Sequence, residues 1–171
     1  MTTRTLEATM MPSSVHTRSA DETRDFAAAL AGVAQPGDRI ALIGPLGAGK
    51  TQFAKGFARG LGVSEVVNSP SFTLMSEYAG RLPLFHQDLY RLSGAEEAIE
   101  GGMVDERQLS GVTLSEWGDR LPELLDPARI TVSIEVVADD ERRITISPSG
   151  SHDRRYVGAA ESWLQEAGAN R

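Results

Sequence analysis

An α/β fold with a mixed central sheet is predicted by three features of this 171-residue sequence. The short apolar run Arg39–Ile43 ends directly at a glycine-rich turn, and an amphipathic helical stripe follows without a gap. Further short apolar runs alternate with helical patterns, which implies crossover connections between parallel strands. Two late runs of alternating apolar residues flank Asp139-Asp140-Glu141 and read as a hairpin, a connection that a purely parallel sheet lacks.

Each element has its own local reason. Residues 1–14 carry no continuous apolar pattern and are expected to be a flexible tail. Ser19 with Glu22 three residues later suits a capping box, and Phe26, Leu30 and Val33 recur at helical spacing, so a helix is predicted over 21–33. Pro36-Gly37-Asp38 stops it. After the buried strand, Phe53, Phe57 and Leu61 mark a helix over 51–61 closed by Gly62. Ser69-Pro70-Ser71 is a loop, 72–78 alternates loosely like a strand, Gly80 turns the chain, and 82–85 is its partner. A short helix is predicted at 95–100 and a strand at 112–114, ending at Ser115-Glu116-Trp117. Ile130, Val132, Ile134 and Val136 alternate cleanly, and 143–146 completes the hairpin. Tyr156, Ala160, Trp163 and Leu164 form an apolar stripe on a last helix. The expected organisation is a tail over 1–14, one domain over 15–150 and a C-terminal helical extension over 151–171.

Composition narrows the function. With 40% hydrophobic and 24% charged residues the chain reads as an ordinary globular domain, and no apolar run approaches the roughly 20 residues that span a bilayer. The absence of cysteine excludes disulfides, thiolate zinc sites and thiol catalysis. His16, His86 and His152 lie far apart, in no metal-ligand spacing. A cytoplasmic home follows as the default. The net charge of -7 and a pI near 5.0 repel nucleic acid, and the basic residues form no stripe. Direct tight tRNA or DNA binding is therefore not expected, although work inside a complex that binds nucleic acid is compatible with this charge.

The chemistry sits in Gly44-Pro45-Leu46-Gly47-Ala48-Gly49-Lys50-Thr51, which satisfies the pattern G-x-x-x-x-G-K-[ST]. Glycines let the backbone curl around phosphate oxygens with its N–H groups inward, and the following helix offers its positive N-terminus to the same anion. Lys50 can bridge the outer phosphates, and the Thr51 hydroxyl can ligate magnesium. ATP and Mg2+ are the expected cofactors, and the fold class becomes a P-loop NTPase-like three-layer arrangement around the mixed sheet.

A magnesium–nucleotide site also needs a carboxylate. Asp88 and Glu116 both follow predicted strands, where ligands gather in such sheets. Asp88 would contact magnesium directly or through water, and Glu116 would add a contact or orient the attacking water. Lys50, Asp88 and Glu116 are the expected catalytic set, with Thr51, Asp88 and Glu116 around the metal. Ser69, Ser71 and Thr73 lie where many P-loop proteins sense the terminal phosphate, although turn chemistry around Pro70 is, taken alone, the better explanation of them. Trp117 suits either a stacking role or a partly buried core position. His86 reads as structural, and Tyr90 and Arg91 as residues packed beside the site.

These segments occur in order with Ser69-Pro70-Ser71-Phe72-Thr73-Leu74, His86-Gln87-Asp88-Leu89-Tyr90-Arg91 and Ser115-Glu116-Trp117, and together they resemble the bacterial TsaE family over residues 19–146. The resemblance implies a small ATPase needed for N6-threonylcarbamoyladenosine at position 37 of tRNAs reading codons that begin with A. It implies docking on a TsaB–TsaD complex, with tRNA met only indirectly, and ATP hydrolysis that supports repeated turnover. Position by position it assigns Lys50 and Thr51 to phosphate and magnesium, Asp88 to the H-x-D-x-Y-R aspartate and Glu116 to the magnesium site, with Trp117 beside it. It also places the adenine side near Ala20 and Asp140. Two departures stand out: Pro45 where the family commonly has aspartate, and Ser71 where threonine is usual.

Two other readings fit a P-loop. A small-molecule kinase would need an arginine-bearing lid, for which Arg91 is the only placed candidate. A non-hydrolysing switch would use ATP to order the loop around 69–73 for a partner.

Overall fold

The computed structural model describes residues 13–70, 73–149 and 154–169. Its seven strands form one sheet in the order β1-β7-β6-β2-β5-β4-β3. Strand β2 (Arg39–Ile43) is central, flanked in parallel by β5 (Val112–Glu116) and β6 (Ile130–Val136), and β4 (Leu84–Asp88) lies parallel beyond β5. Strand β3 (Met75–Tyr78) closes one edge antiparallel to β4. At the other edge, β7 (Arg142–Ser147) forms the predicted hairpin with β6, and β1 (Ser13–Thr17) pairs antiparallel with β7. The α/β class and the mixed sheet are as the sequence predicts.

Strand β1 begins inside the stretch expected to be a tail; residues 1–12 lie outside the described residues. Its sequence, Ser-Ser-Val-His-Thr, holds one apolar residue, Val15, which is buried, and it becomes a strand by pairing with β7. Strand β3 starts at Met75, after Leu74 takes a left-handed conformation with φ 65°; residue 72, where the sequence pattern begins this strand, lies outside the described residues. Strand β4 runs on past Phe85 through His86, Gln87 and Asp88. Apolar patterning ends there, but buried hydrogen bonds to neighbouring strands and loops engage Nε2 of His86 and the side-chain amide of Gln87.

One face of the sheet is covered by α1 (Ala20–Ala31), α2 (Lys50–Gly60) and α4 (Arg154–Ala169). Ser19 caps α1 by accepting from the Glu22 N–H at 3.0 Å, while the Glu22 carboxylate accepts from the Arg18 N–H. Phe26 and Leu30, Phe53 and Phe57, and Tyr156 from these helices pack on Ile40, Leu42, Leu114, Val132 and Ile134 in one apolar core. The C-terminal helix, expected as an extension, shares that core. Trp163 packs edge-on against Phe26 at 5.3 Å, and Tyr156 and Arg155 both bond Asp38. Leu164, predicted in the same stripe, is exposed.

The opposite face is more polar and carries no long helix among the described residues. Arg39 bonds Asp126, Gln108 and the Met103 carbonyl, and Gln87 bonds Ser115 and the same carbonyl. The short α3 (Ala95–Glu100) and 3-10 turns at Glu106–Ser110, Gly118–Arg120 and Glu123–Leu125 lie along this side. A smaller cluster of Leu89, Leu92, Ala98, Met103 and Leu121 holds these segments together. Among the described residues no helix is long and apolar enough to cross a membrane.

Candidate functional site

The site forms where β2 stops. Its apolar residues are buried up to Leu42, and the chain then curls through residues 44–49 into the first turn of α2. Gly44 lies against β6: a Cβ there would stand 2.6 Å from the Ile134 carbonyl oxygen, so no larger residue fits. Gly49 caps α2 with φ 106°, a conformation open to glycine, and no side chain caps the helix start. The first-turn N–H groups and the positive end of the helix dipole thus face the loop interior. Pro45 and Leu46 form the tip, with Leu46 85% exposed, and the Ala48 N–H closes the curl onto the Pro45 carbonyl at 3.0 Å.

Lys50 is buried and turns into this loop. Its Nζ donates to the carbonyls of Gly44 at 2.6 Å and Pro45 at 2.9 Å, and stands 4.0 Å above the Trp117 ring. Burial lowers the Lys50 pKa from its ordinary value, partly offset by the negative field of Glu116, Asp119 and Asp88. Next to it, Thr51 Oγ1 donates to Glu116 Oε1 at 2.8 Å.

The two predicted carboxylates are neighbours across the β4–β5 pair, where Asp88 stands in register with Glu116. Both lie at the carboxyl ends of parallel strands. Ser69 donates to Asp88 Oδ2 at 2.5 Å, and the Tyr90 N–H donates to Oδ1 at 3.0 Å. Glu116 is buried, with Oε2 2.7 Å from Nε2 of the fully buried His86. Trp117 holds a left-handed backbone at φ 57°, which costs a non-glycine residue roughly 1–2 kcal/mol. Its ring packs on Tyr90 at 5.0 Å, and the Arg120 guanidinium lies over both rings.

On the other side of the loop, a cleft of about 130 Å³ is lined by residues that include Ala20, Gly47, Ala48, Gly49 and Asp140. The α1 start and the hairpin turn, far apart in sequence, thus meet at the glycine loop. Arg142 fastens the hairpin there: Nε donates to the Ala48 carbonyl at 2.8 Å and Nη2 to that of Gly47 at 3.3 Å.

Most of the predicted site residues converge. Residues 44–51, Asp88, Glu116 and Trp117 surround one point, and Ala20 and Asp140 share the adjoining cleft. Trp117 faces Lys50 and is not among the cleft's lining residues. Ser71 lies outside the described residues, Thr73 bonds the Met75 carbonyl, and Arg91 is exposed. Sequence reasoning missed Arg142 and Arg120 and gave His86 no role at the site. His86 alone carried a signal, being two residues before Asp88 on the same strand face.

Chemically, the loop offers N–H donors and an ammonium to an anion. Among the described residues no cluster of three or more His, Asp or Glu side chains is arranged to hold a metal. One hydroxyl and two carboxylates remain, which suits Mg2+: that ion takes one or two carboxylates and fills its shell with phosphate oxygens and water.

The chain is also similar to known proteins. The sequence model of the family described as "Threonylcarbamoyl adenosine biosynthesis protein TsaE" matches residues 17–144. The tRNA threonylcarbamoyladenosine biosynthesis protein TsaE of Bacillus subtilis is 44% identical over 132 residues, covering 77% of this chain and 82% of that one. Its counterpart in Treponema pallidum is 40% identical over 130 residues, covering 76% of this chain and 96% of the other. The crystal structure of Bacillus subtilis YdiB matches with a TM-score of 0.67 at 37% identity, over 92% of this chain and 97% of that chain.

Proposed function

Because this chain belongs to the TsaE family of threonylcarbamoyl adenosine biosynthesis proteins, we propose that it binds ATP with Mg2+ in the glycine loop and hydrolyses it in support of threonylcarbamoyladenosine formation on tRNA. One observation carries the reading. The hydroxyl of Thr51 and the carboxylate of Glu116 meet at 2.8 Å beside Asp88 and the buried ammonium of Lys50. A hydroxyl, two carboxylates and one ammonium at a helix N-terminus form the donor set of a P-loop magnesium–nucleotide site.

Each residue then has a task. Lys50 exchanges the carbonyls of Gly44 and Pro45 for the outer phosphate oxygens, and the loop N–H groups hold the inner phosphates. Thr51, Asp88 and Glu116 hold the metal. Mg2+ held there would supply positive charge to the phosphate oxygens. Glu116, at the end of β5, also orients the attacking water. Ala20 and Asp140 flank the base in the cleft, and Trp117 packs over Lys50 at the terminal-phosphate end.

The partner in this reading is a TsaB–TsaD complex in the cytoplasm, with tRNA held by that complex. The net charge of -7 supports the indirect role, since a chain that neutralised many tRNA phosphates itself would carry a basic face. Hydrolysis is slow for the chain alone and is stimulated by the partners.

The test is Mg2+-dependent ATP hydrolysis by the purified chain, alone and with TsaB–TsaD and tRNA, alongside Lys50→Ala and Glu116→Ala. The expected outcome is weak activity that rises with the complex, disappears in Lys50→Ala together with nucleotide binding, and disappears in Glu116→Ala while nucleotide still binds. Nucleotide binding without stimulation by the complex would remove the docking claim, and a chain that binds no nucleotide would remove the whole reading.

A further inference from the structure

Glu116 offers its two oxygens to two different neighbours. Oε1 accepts from the Thr51 hydroxyl at 2.8 Å, and Oε2 lies 2.7 Å from Nε2 of His86. His86 is fully buried, and its Nδ1 meets no hydrogen-bond partner among the described residues. On β4 the side chains of His86 and Asp88 emerge on the same face, and the register sets Asp88 beside Glu116 and His86 beside Leu114. The imidazole therefore stands one pleat behind the carboxylates, between the apolar core and the site.

We propose that His86 is the positioning residue of the magnesium carboxylate, donating its Nε2–H to Glu116 and thereby fixing which oxygen faces the metal. The inference rests on the magnesium–nucleotide reading given above. An ionised Glu116 can only accept, so the proton of this bond belongs to Nε2. The geometry thus assigns the shared proton to Nε2. A carboxylate at a strand end can rotate about its terminal bond and present either oxygen. Pinning Oε2 from behind leaves Oε1 alone to face Thr51 and the ion. Partners that orient a metal ligand in this way are worth about 10–100-fold in metal affinity. A histidine kept only to fill the core could be replaced by leucine without effect on the metal.

Two variants separate these roles. His86→Leu fills the space without a donor, and His86→Gln places an amide N–H near the position of Nε2. Binding of ADP in EDTA and the Mg2+ concentration that half-saturates the ADP complex are measured by calorimetry for each. The expected result for His86→Leu is metal-free ADP affinity within about twofold of wild type and a Mg2+ requirement raised about tenfold. His86→Gln should recover most of that loss. Long-range nitrogen–proton NMR on the wild type should show the Nε2–H tautomer at neutral pH, and this readout stands even if His86→Leu does not fold. An unchanged Mg2+ requirement in folded His86→Leu, a His86→Gln variant as impaired as the leucine, or an Nδ1–H tautomer would each overturn the proposal. A wild type that binds no nucleotide would instead overturn the site reading, and the role of His86 with it.

Discussion

Lys50 turns its ammonium onto two carbonyls of the loop, beneath the Trp117 indole. Those contacts compensate the buried charge, and in the proposed reading a phosphate would replace them as the acceptor. Arg142 fixes the outer wall of the same loop through the carbonyls of Ala48 and Gly47. Hydrogen bonds from a charged donor are worth roughly 1.5–3 kcal/mol. Arg142→Ala is therefore expected to weaken ADP binding by about tenfold or more without unfolding the chain, as read by calorimetry and a thermal melt; unchanged affinity would mean that the loop holds its shape unaided. At this scale the sequence reveals residues whose chemistry follows from local spacing. The glycine loop, Asp88 and Glu116 are legible because the loop directly follows a strand and each carboxylate closes one. The bonds of Arg142 to Ala48, of His86 to Glu116 and of Ser69 to Asp88 span 94, 30 and 19 residues, and no local pattern announces them.

Among the elements, the tightest contact is between α1 and α2. A Cβ on Gly56 would stand 2.2 Å from the Arg24 carbonyl oxygen, backbone against backbone, so neither helix can yield by moving a side chain. Gly56→Ala must push α1 away from the helix that carries Lys50 and Thr51. Overpacking of this kind costs about 1–3 kcal/mol, or roughly 2–12 °C in Tm for a chain of this size. A melting curve for the variant tests it, and no drop would show that the helices have slack. Element type is well forecast by hydrophobic period: α1, α2, α3, α4, β2, β6 and β7 appear where the pattern puts them. Strand β1 and the 3-10 turns do not follow from pattern, because tertiary pairing and loop packing create them.

Taken as a whole, the molecule ties its last helix back to the first turn before β2. Tyr156 donates to Asp38 at 2.5 Å, and Arg155 pairs with the same carboxylate. Burial, and then the bond to Asp38, pushes the Tyr156 pKa well above the ordinary tyrosine value near 10. The folded chain keeps this proton where the unfolded chain loses it. Its contribution to stability is thus complete below about pH 10 and falls as the pH rises further. Tyr156→Phe is expected to be less stable by roughly 1.5–3 kcal/mol at pH 7.5 and to lose less on going to pH 10.5, measured by urea denaturation at both pH values. Equal losses would place the alkaline sensitivity elsewhere. The strand order is the part of the fold that could not be read from the chain, since alternation marks a strand without saying which strand lies beside it.

That order has a consequence for how the protein is made. Strand β2 is synthesised early, but its neighbours in the sheet, β5 and β6, follow much later in the chain. The loop after β2 rests against the carbonyl of Ile134. At translation rates of about 5–20 residues per second, on the order of 5–20 s pass between the emergence of Ile43 and that of Ile134. During that interval the nascent loop has its sequence but not its walls, and a chain arrested before β6 carries the complete motif without the strand it rests on.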